Sequence, residues 1–455
     1  MQNIIITIFI LGYIMFIYKT RKSSNFESYS VADRSIGFFL VFASMCANYI
    51  GPGMTMGLTN EGFNNGYFPF FLVGFYGLGK IFEGYVFAPI IRNKFTNSYT
   101  LGDIIGGPNS HNNKIVKFVA GIISFGLVVG FCVIMSKAGG DILNSFLGID
   151  QFLGTVIVTT LVMSYSIFGG IKSSMQTDLL QFCMFVILLP LLIIVIIYSS
   201  KVNFSSFSTV SYDLTKTAFL KSNGIEVFGL IITWFFGEML VPPTVQTILS
   251  SENSNTSKKA LVYSGLFMLV WLLIMLTIGI LGKASNISFS SNDKTLLELG
   301  KTFYPNGIFG LFAIAMVGVV MSTLDALING ASVIFAKDIL GSTQNLEDKK
   351  ILYFSRMAGL LIGVISILLA VYIPSIIGSL LFFYSIWVPS ILAVTLFSIY
   401  FKKHYWQSAL ISMLSGVMVS IIWNLTPYKE QIPTIIIGII ISASFYLTTH
   451  LILKK

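Results

Sequence analysis

Residues 38–58 read FFLVFASMCANYIGPGMTMGL. The stretch is apolar enough and long enough to cross a bilayer, which takes about 20 residues as a helix. Yet Gly51-Pro52-Gly53 sits near its middle. Proline removes a backbone donor and clashes with the preceding turn, and glycine lowers helix propensity. A helix broken here frees carbonyls and amides, and hydrocarbon tolerates these only where they face protein or a water-filled cavity. The same design recurs at 231–249, IITWFFGEMLVPPTVQTIL, with the expected break at Pro242-Pro243. Two Gly/Pro-interrupted spans at corresponding places in two halves point to a solute site at the membrane midplane.

The composition agrees. Of 455 residues, 55% are hydrophobic and 10% charged, against roughly 25% charged in soluble domains. The expectation is an all-α polytopic membrane protein embedded in the lipid bilayer. The net charge of +9 comes from basic residues in short loops, which is a topology signal and not a nucleic-acid surface. Cys46, Cys132 and Cys183 lie in apolar runs and form no disulfide or metal spacing. No catalytic constellation and no phosphate-binding loop is present, so neither an enzyme nor an ATP-driven pump is expected.

Counting apolar spans predicts about thirteen crossings: 2–18, 38–58, 66–91, 115–136, 152–168, 177–198, 225–247, 260–282, 305–336, 352–372, 375–401, 407–424 and 434–452. The first lacks a basic leader and is followed by Lys19, Arg21 and Lys22, so it reads as a retained helix and not a cleaved signal. With residue 1 outside, most of the 28 Lys and Arg fall in inner loops, among them Arg34, Arg92, Lys258, Lys259, Lys402 and Lys403. This places the N-terminus outside and the C-terminus in the cytoplasm of a cell with the chain in its plasma membrane. If the two broken spans are equivalent, two five-helix halves follow. Five is odd, so the halves are inverted. The expected division is 1–37 as a flanking helix and loop, 38–198 and 199–401 as the repeats, and 402–455 as two flanking helices.

Several intramembrane side chains invite a role. Ala47 to Gly51 precede the first break, where carbonyls freed from the helix can coordinate a small cation, or the break is only a packing kink. Val319, Ser322, Thr323 and Ala326 share one helix face; the hydroxyls serve either an ion or close helix packing. Asp325 is a carboxylate within the membrane, which marks an ion or proton pathway. Asp178 and Gln181 are three apart at the start of a span, where Asp178 also suits the helix dipole. Lys80 and Glu83 are spaced to form an intramembrane ion pair, with contact to a charged solute as the alternative. Glu238 and Trp234 sit beside the second break.

At these residues the chain resembles the sodium:solute symporter family. The most specific piece is GGIKSSMQTDLLQ (169–181), similar to the signature Gly-Gly-x-x-(Ala/Ser)-x-x-x-Thr-Asp-x-x-Gln. YSVADRSIGFF (29–39), PPTVQTILSSENSNTSKKA (242–260), VVMSTLDALINGAS (319–332) and FFYSIWVPSILAVTLF (382–397) also resemble family segments. The first carries Asp33 in place of a glycine, and the second carries Thr247 in place of an arginine. The resemblance implies an inverted five-plus-five core and sodium co-transport. It implies sodium ligands at the carbonyls of Ala47, Ile50 and Val319 and the hydroxyls of Ser322 and Thr323. It also implies a possible second cation or proton site at Asp178 with Asp325, where Ala326 supplies no ligand atom. The solute site is expected near Met54, Phe70, Val73, Trp234 and Glu238. The apolar run Phe70–Val73 lacks the acidic residue of some sugar carriers, so an amino acid, carboxylate or amine is expected over a sugar. The expected function is inward symport by alternating access. A proton-coupled carrier using Asp325 or Asp178, and a non-transporting sensor, which would carry a signalling domain, are the alternatives. The oligomeric state is not legible.

Overall fold

A computed structural model of the chain describes residues 23–107, 113–199, 224–285, 294–344, 347–401 and 404–454. Among them there are helices and a single isolated bridge, Ile36 with Ser251, but no strand. Among the described residues nine helices are long and apolar enough to cross a membrane, and a bent pair makes a tenth span.

The bent pair is α1 (Phe38–Tyr49) and α2 (Leu58–Asn65), joined through a π-turn at Gly53–Gly57 and bent by 65°. Next come α3 (Pro69–Val86), α4 (Lys114–Leu147) and α5 (Gln151–Tyr198). The second half begins with the pair α6 (Gly224–Phe236) and α7 (Pro242–Ser250), followed by α8 (Ser254–Ala284) and α9 (Asn306–Ile334). α10 (Asp348–Ala370), α11 (Ile376–Trp387), α12 (Trp406–Asn424) and α13 (Thr434–Lys454) complete the chain.

At 1.5 Å per residue, the 48 residues of α5 span about 72 Å, enough for two crossings. It divides where the sequence predicts, between 152–168 and 177–198, at Gly170 with φ 65° and ψ −169°. Only glycine takes that conformation at little cost. A Cβ there would also stand 2.6 Å from the Tyr29 carbonyl oxygen. The predicted span 2–18 lies outside the described residues, so the structure carries no count of thirteen.

Two expectations about the breaks need correction. The unwound stretch of the second pair is Gly237–Val241, not the prolines. Pro242 and Pro243 open the first turn of α7, where a missing N–H costs nothing because that donor has no helical partner. Pro52 likewise stands at the start of the π-turn. In both pairs the prolines launch the second half-helix. Glu238, expected beside the break, therefore lies inside it.

The freed backbone at Gly237–Val241 is held from α3. The Lys80 ammonium donates to the Glu238 carbonyl oxygen (2.6 Å) and lies 3.2 Å from Glu83 Oε2. Glu83 Oε1 accepts from the Leu240 N–H (2.9 Å). Leu240 takes a left-handed φ of 58°, a strained state for a branched side chain that persists only when its surroundings enforce it. Lys80 also lies 4.2 Å from the centre of the Tyr49 ring, reaching toward the first break. α3 can approach this closely because Gly79 faces the Phe235 carbonyl, which a Cβ would meet at 2.2 Å. One buried ion pair thus supplies both an acceptor and a donor to a backbone that has lost its helix.

Removing one partner of such a pair leaves a buried charge and costs about 3–5 kcal/mol. Lys80→Met is expected to lower the melting temperature in detergent sharply, and Lys80→Met with Glu83→Gln to recover part of the loss. A single variant that melts like the parent overturns the clamp. At the α5 kink, Gly170→Ala combines a strained φ with a backbone clash. Gly148 has a similar φ of 68° but open space around it, so Gly148→Ala is expected to cost only the conformational part, about 1–2 kcal/mol. Equal melting temperatures for the two variants would show that the clash is relieved.

Candidate functional site

α1 ends at Ile50, whose ψ of 51° turns its carbonyl off the helix axis. The last carbonyls of a helix have no partner within it. Here α9 crosses this end. Ser322 Oγ lies 3.2 Å from the Ala47 carbonyl oxygen and 3.1 Å from that of Val319. Thr323 Oγ1 lies 3.3 Å from the carbonyl oxygens of Asn48 and Val319. Gly51 packs against the same hydroxyl, with its Cβ position 3.4 Å from Thr323 Oγ1. The structure thus brings Ala47, Val319, Ser322 and Thr323 together, with Ile50 at the turn. All are neutral oxygen donors, the set a small hard cation takes. Asn48, which lies in the Ala47–Gly51 run expected to free its carbonyls but outside the ligand set that the family resemblance implies, adds a carbonyl.

One helix turn further along α9 stands Asp325, and Thr177 of α5 brings the neighbouring Asp178 close to it; both carboxylates are fully buried. Ser44 Oγ donates to Asp178 Oδ2 (2.5 Å) and Thr177 Oγ1 to Asp325 Oδ2 (3.3 Å). Ser174 and Tyr165 stand beside Asp325. Oδ1 of each carboxylate accepts no hydrogen bond. Asp178 lines a small cavity with Ser44, Asn48, Gln246 and Asn329. Ala326 also borders it and offers no ligand atom.

A larger cavity lies between the two breaks. Met54, Trp234 and Glu238 line it as expected from the sequence. Phe70 and Val73 do not, because they sit one to two turns before the part of α3 that meets the second break. That part carries Tyr76, whose hydroxyl donates to Glu238 Oε2. Tyr384 of α11 donates to Glu238 Oε1 (2.5 Å). Tyr49 bonds Thr244 (3.2 Å), tying the end of α1 to α7. Asn48, Phe131, Met135, Thr323 and Leu380 complete the walls. The sequence reading missed Tyr76, Tyr384, Phe131 and Thr244. Tyr384 lies in the family-like run 382–397, the one signal that could have marked it. Lys80 and Glu83 stand behind this cavity as the clamp and do not line it.

Around the lower end of α7 the backbone is tied closed. The Ile36 N–H donates to the Ser250 carbonyl (3.1 Å), and the Glu252 N–H to that of Ile36 (2.9 Å). Gln246 donates to the Ser30 carbonyl (2.6 Å), and Arg92 Nε to that of Ser251 (2.7 Å). The residues sealing this end come from the segment before α1, from α7 and from the chain just after α3.

Comparison with known proteins places these features. Residues 29–416 match the sequence model of the sodium:solute symporter family. The chain is 24% identical over 430 residues to the high-affinity proline transporter PutP of Bacillus subtilis (strain 168), covering 91% of this chain and 89% of that protein. It is 23% identical over 436 residues to a sodium/proline symporter of Staphylococcus aureus, covering 91% and 83%. A Na+-coupled sialic acid symporter in a substrate-bound outward-open state superposes with a TM-score of 0.84 at 16% identity, covering 99% of this chain and 97% of that one. Mhp1, a nucleobase-cation-symport-1 family transporter in a closed conformation, gives 0.57 at 13% identity, covering 92% of each. At such identities the structural likeness shows the fold, an all-α transporter core with inverted five-helix repeats and two broken helices. The chain belongs to the sodium:solute symporter family, a family of multi-pass, sodium-coupled membrane transporters rather than enzymes.

Proposed function

We propose that the chain imports a small organic solute together with sodium by alternating access, from the outer face of the plasma membrane to the cytoplasm. The observation that carries this is the meeting of the Ser322 and Thr323 hydroxyls with the carbonyls at the end of α1. Sodium is held by the carbonyls of Ala47, Ile50 and Val319 and by those two hydroxyls. Binding there would pull α9 against the break in α1 and so shape the wall of the adjoining cavity, since Thr323 belongs to both. Loss of sodium frees the two helices from one another. By linkage, sodium raises solute affinity by the same factor as solute raises sodium affinity.

Asp178 and Asp325 take a second cation or a proton. Two carboxylates buried side by side are costly unless one is neutralised, and each keeps an oxygen without a hydrogen bond. Residues 38–198 and 199–401 act as the two repeats, flanked by 1–37 and 402–455, with the N-terminus outside and the C-terminus inside. The end of α7 sealed by Ile36, Gln246 and Arg92 is then the cytoplasmic gate, closed in this conformation. The solute is an amino acid or another small charged organic molecule. Relatives named as proline carriers support the amino-acid class.

In proteoliposomes, Ser322→Ala with Thr323→Ala is expected to raise the sodium concentration for half-maximal uptake by at least about tenfold, the equivalent of one lost hydrogen bond to a charge. Wild-type sodium dependence in that double variant would sink the site. Asp178→Asn should change the number of ions or protons moved per solute, read from uptake against imposed sodium and pH gradients. An unchanged ratio would remove Asp178 from the coupling.

A further inference from the structure

The central cavity has an unbalanced charge. Among its lining residues there is no Lys, Arg or His, and Glu238 is the single carboxylate. Lys80 does not neutralise it. That ammonium pairs with Glu83 Oε2, donates to the backbone carbonyl of Glu238 and lies over the Tyr49 ring, and it makes no hydrogen bond to the Glu238 carboxylate. Lys80 and Glu83 are enclosed, whereas Glu238 is half-buried and borders the cavity. Across the three residues one formal negative charge is left over, and it sits where a solute can reach it.

The Glu238 carboxylate is held in place by neutral donors alone. The Tyr76 and Tyr384 hydroxyls each take one oxygen. A carboxylate oxygen has a second acceptor position, so the grip orients the group without exhausting it. The neighbouring walls are aromatic: Tyr49, Trp234, Phe131 and the Tyr384 ring. Aromatic faces attract cations and suit the flanks of a charged nitrogen. A neutral polyol would leave the carboxylate without a counter-charge in a low-dielectric site, and a plain anion would add repulsion. Neither brings a positive charge to pair with it.

We infer that the solute carries a cationic nitrogen, which docks on the Glu238 carboxylate between Trp234 and Tyr49. The substrate class is therefore a small amine or amino acid, and neither a sugar nor a simple carboxylate. This inference rests on reading the cavity as the solute site of a sodium-coupled carrier. It narrows that reading from charged organic molecules to those with a positive nitrogen.

The test uses the full chain in lipid nanodiscs at saturating sodium. Melting temperature and radioligand competition are read against a panel of amino acids, primary and secondary amines and glycine betaine. N-acetylproline, glucose and succinate serve as solutes without a cationic nitrogen. The expected result is binding by at least one cationic-nitrogen solute, lost when its nitrogen is acetylated. Glu238→Gln should weaken that binding by roughly thirty-fold, as for a lost hydrogen bond to a charge. If Glu238→Gln does not fold, the acetylation comparison on the unaltered chain still decides. Tight binding of glucose, succinate or N-acetylproline overturns the inference, as does unchanged affinity in a folded Glu238→Gln. Silence across every amine and amino acid does the same. A solute that binds through Glu238 equally well without sodium would instead refute the sodium-coupled reading and leave this one standing.

Discussion

The structure turns on backbone that has left its helix inside a membrane. A transmembrane helix satisfies its own amides and carbonyls, and a break exposes several where no water is at hand. Each break here meets a different answer. At the end of α1 the groups needing partners are carbonyls, and hydroxyls from α9 come to them. In the Gly237–Val241 stretch the needs are mixed, one carbonyl and one N–H, and an ion pair supplies opposite groups from neighbouring atoms of one helix. The difference has a consequence. Hydroxyls and carbonyls can be parted by a small cation that binds both, so the first junction can be made and unmade. The Lys80–Glu83 clamp is charged, enclosed and self-paired, so the second junction is built to hold its shape.

That asymmetry arranges the cavity. Its fixed side is the second break, where Glu238 is anchored through its carbonyl by Lys80 and through its carboxylate by two tyrosines. Its other side is the first break, where Thr323 belongs to both the α1–α9 junction and the cavity wall. In the coupling we propose, an ion at that junction would alter solute affinity through the shared wall without contacting most of the solute. Asp325 lies one turn further along α9, near Asp178 of α5, so the second site we propose would adjoin the junction that borders the cavity.

Much of the frame was legible from local rules. Length and apolarity located the spans, including the division of α5, because a hydrocarbon slab imposes its thickness on any crossing segment. Gly51-Pro52-Gly53 located the first break, and Pro242-Pro243 came within a few residues of the second, because proline and glycine act through their own backbone. Ser322 and Thr323 stood out as adjacent hydroxyls in an apolar run and do meet the carbonyls of α1. Other contacts were not legible. Phe70 and Val73 were placed at the cavity from their position in the chain, but the rotation of α3 presents Tyr76 and Lys80 to the break instead. Lys80 and Glu83 read as a self-contained pair at i, i+3. Their second task, holding a backbone distant in sequence, leaves no mark on local spacing. The prolines at 242 and 243 read as the break itself, whereas they begin the next helix.

What the sequence determined by itself is therefore the long apolar helices among the described residues, the neighbourhoods where two spans break, and the kinds of atom available there. Those properties follow from residues acting on their own backbone or on the solvent around them. What only the tertiary structure decided is which freed group meets which partner. The Glu238 carboxylate faces two tyrosines while Lys80 takes its carbonyl, and Asp178 shares a buried region with Asp325. Those pairings depend on how helices are rotated and how closely glycines such as Gly79 let them approach, and that is settled by packing many side chains at once.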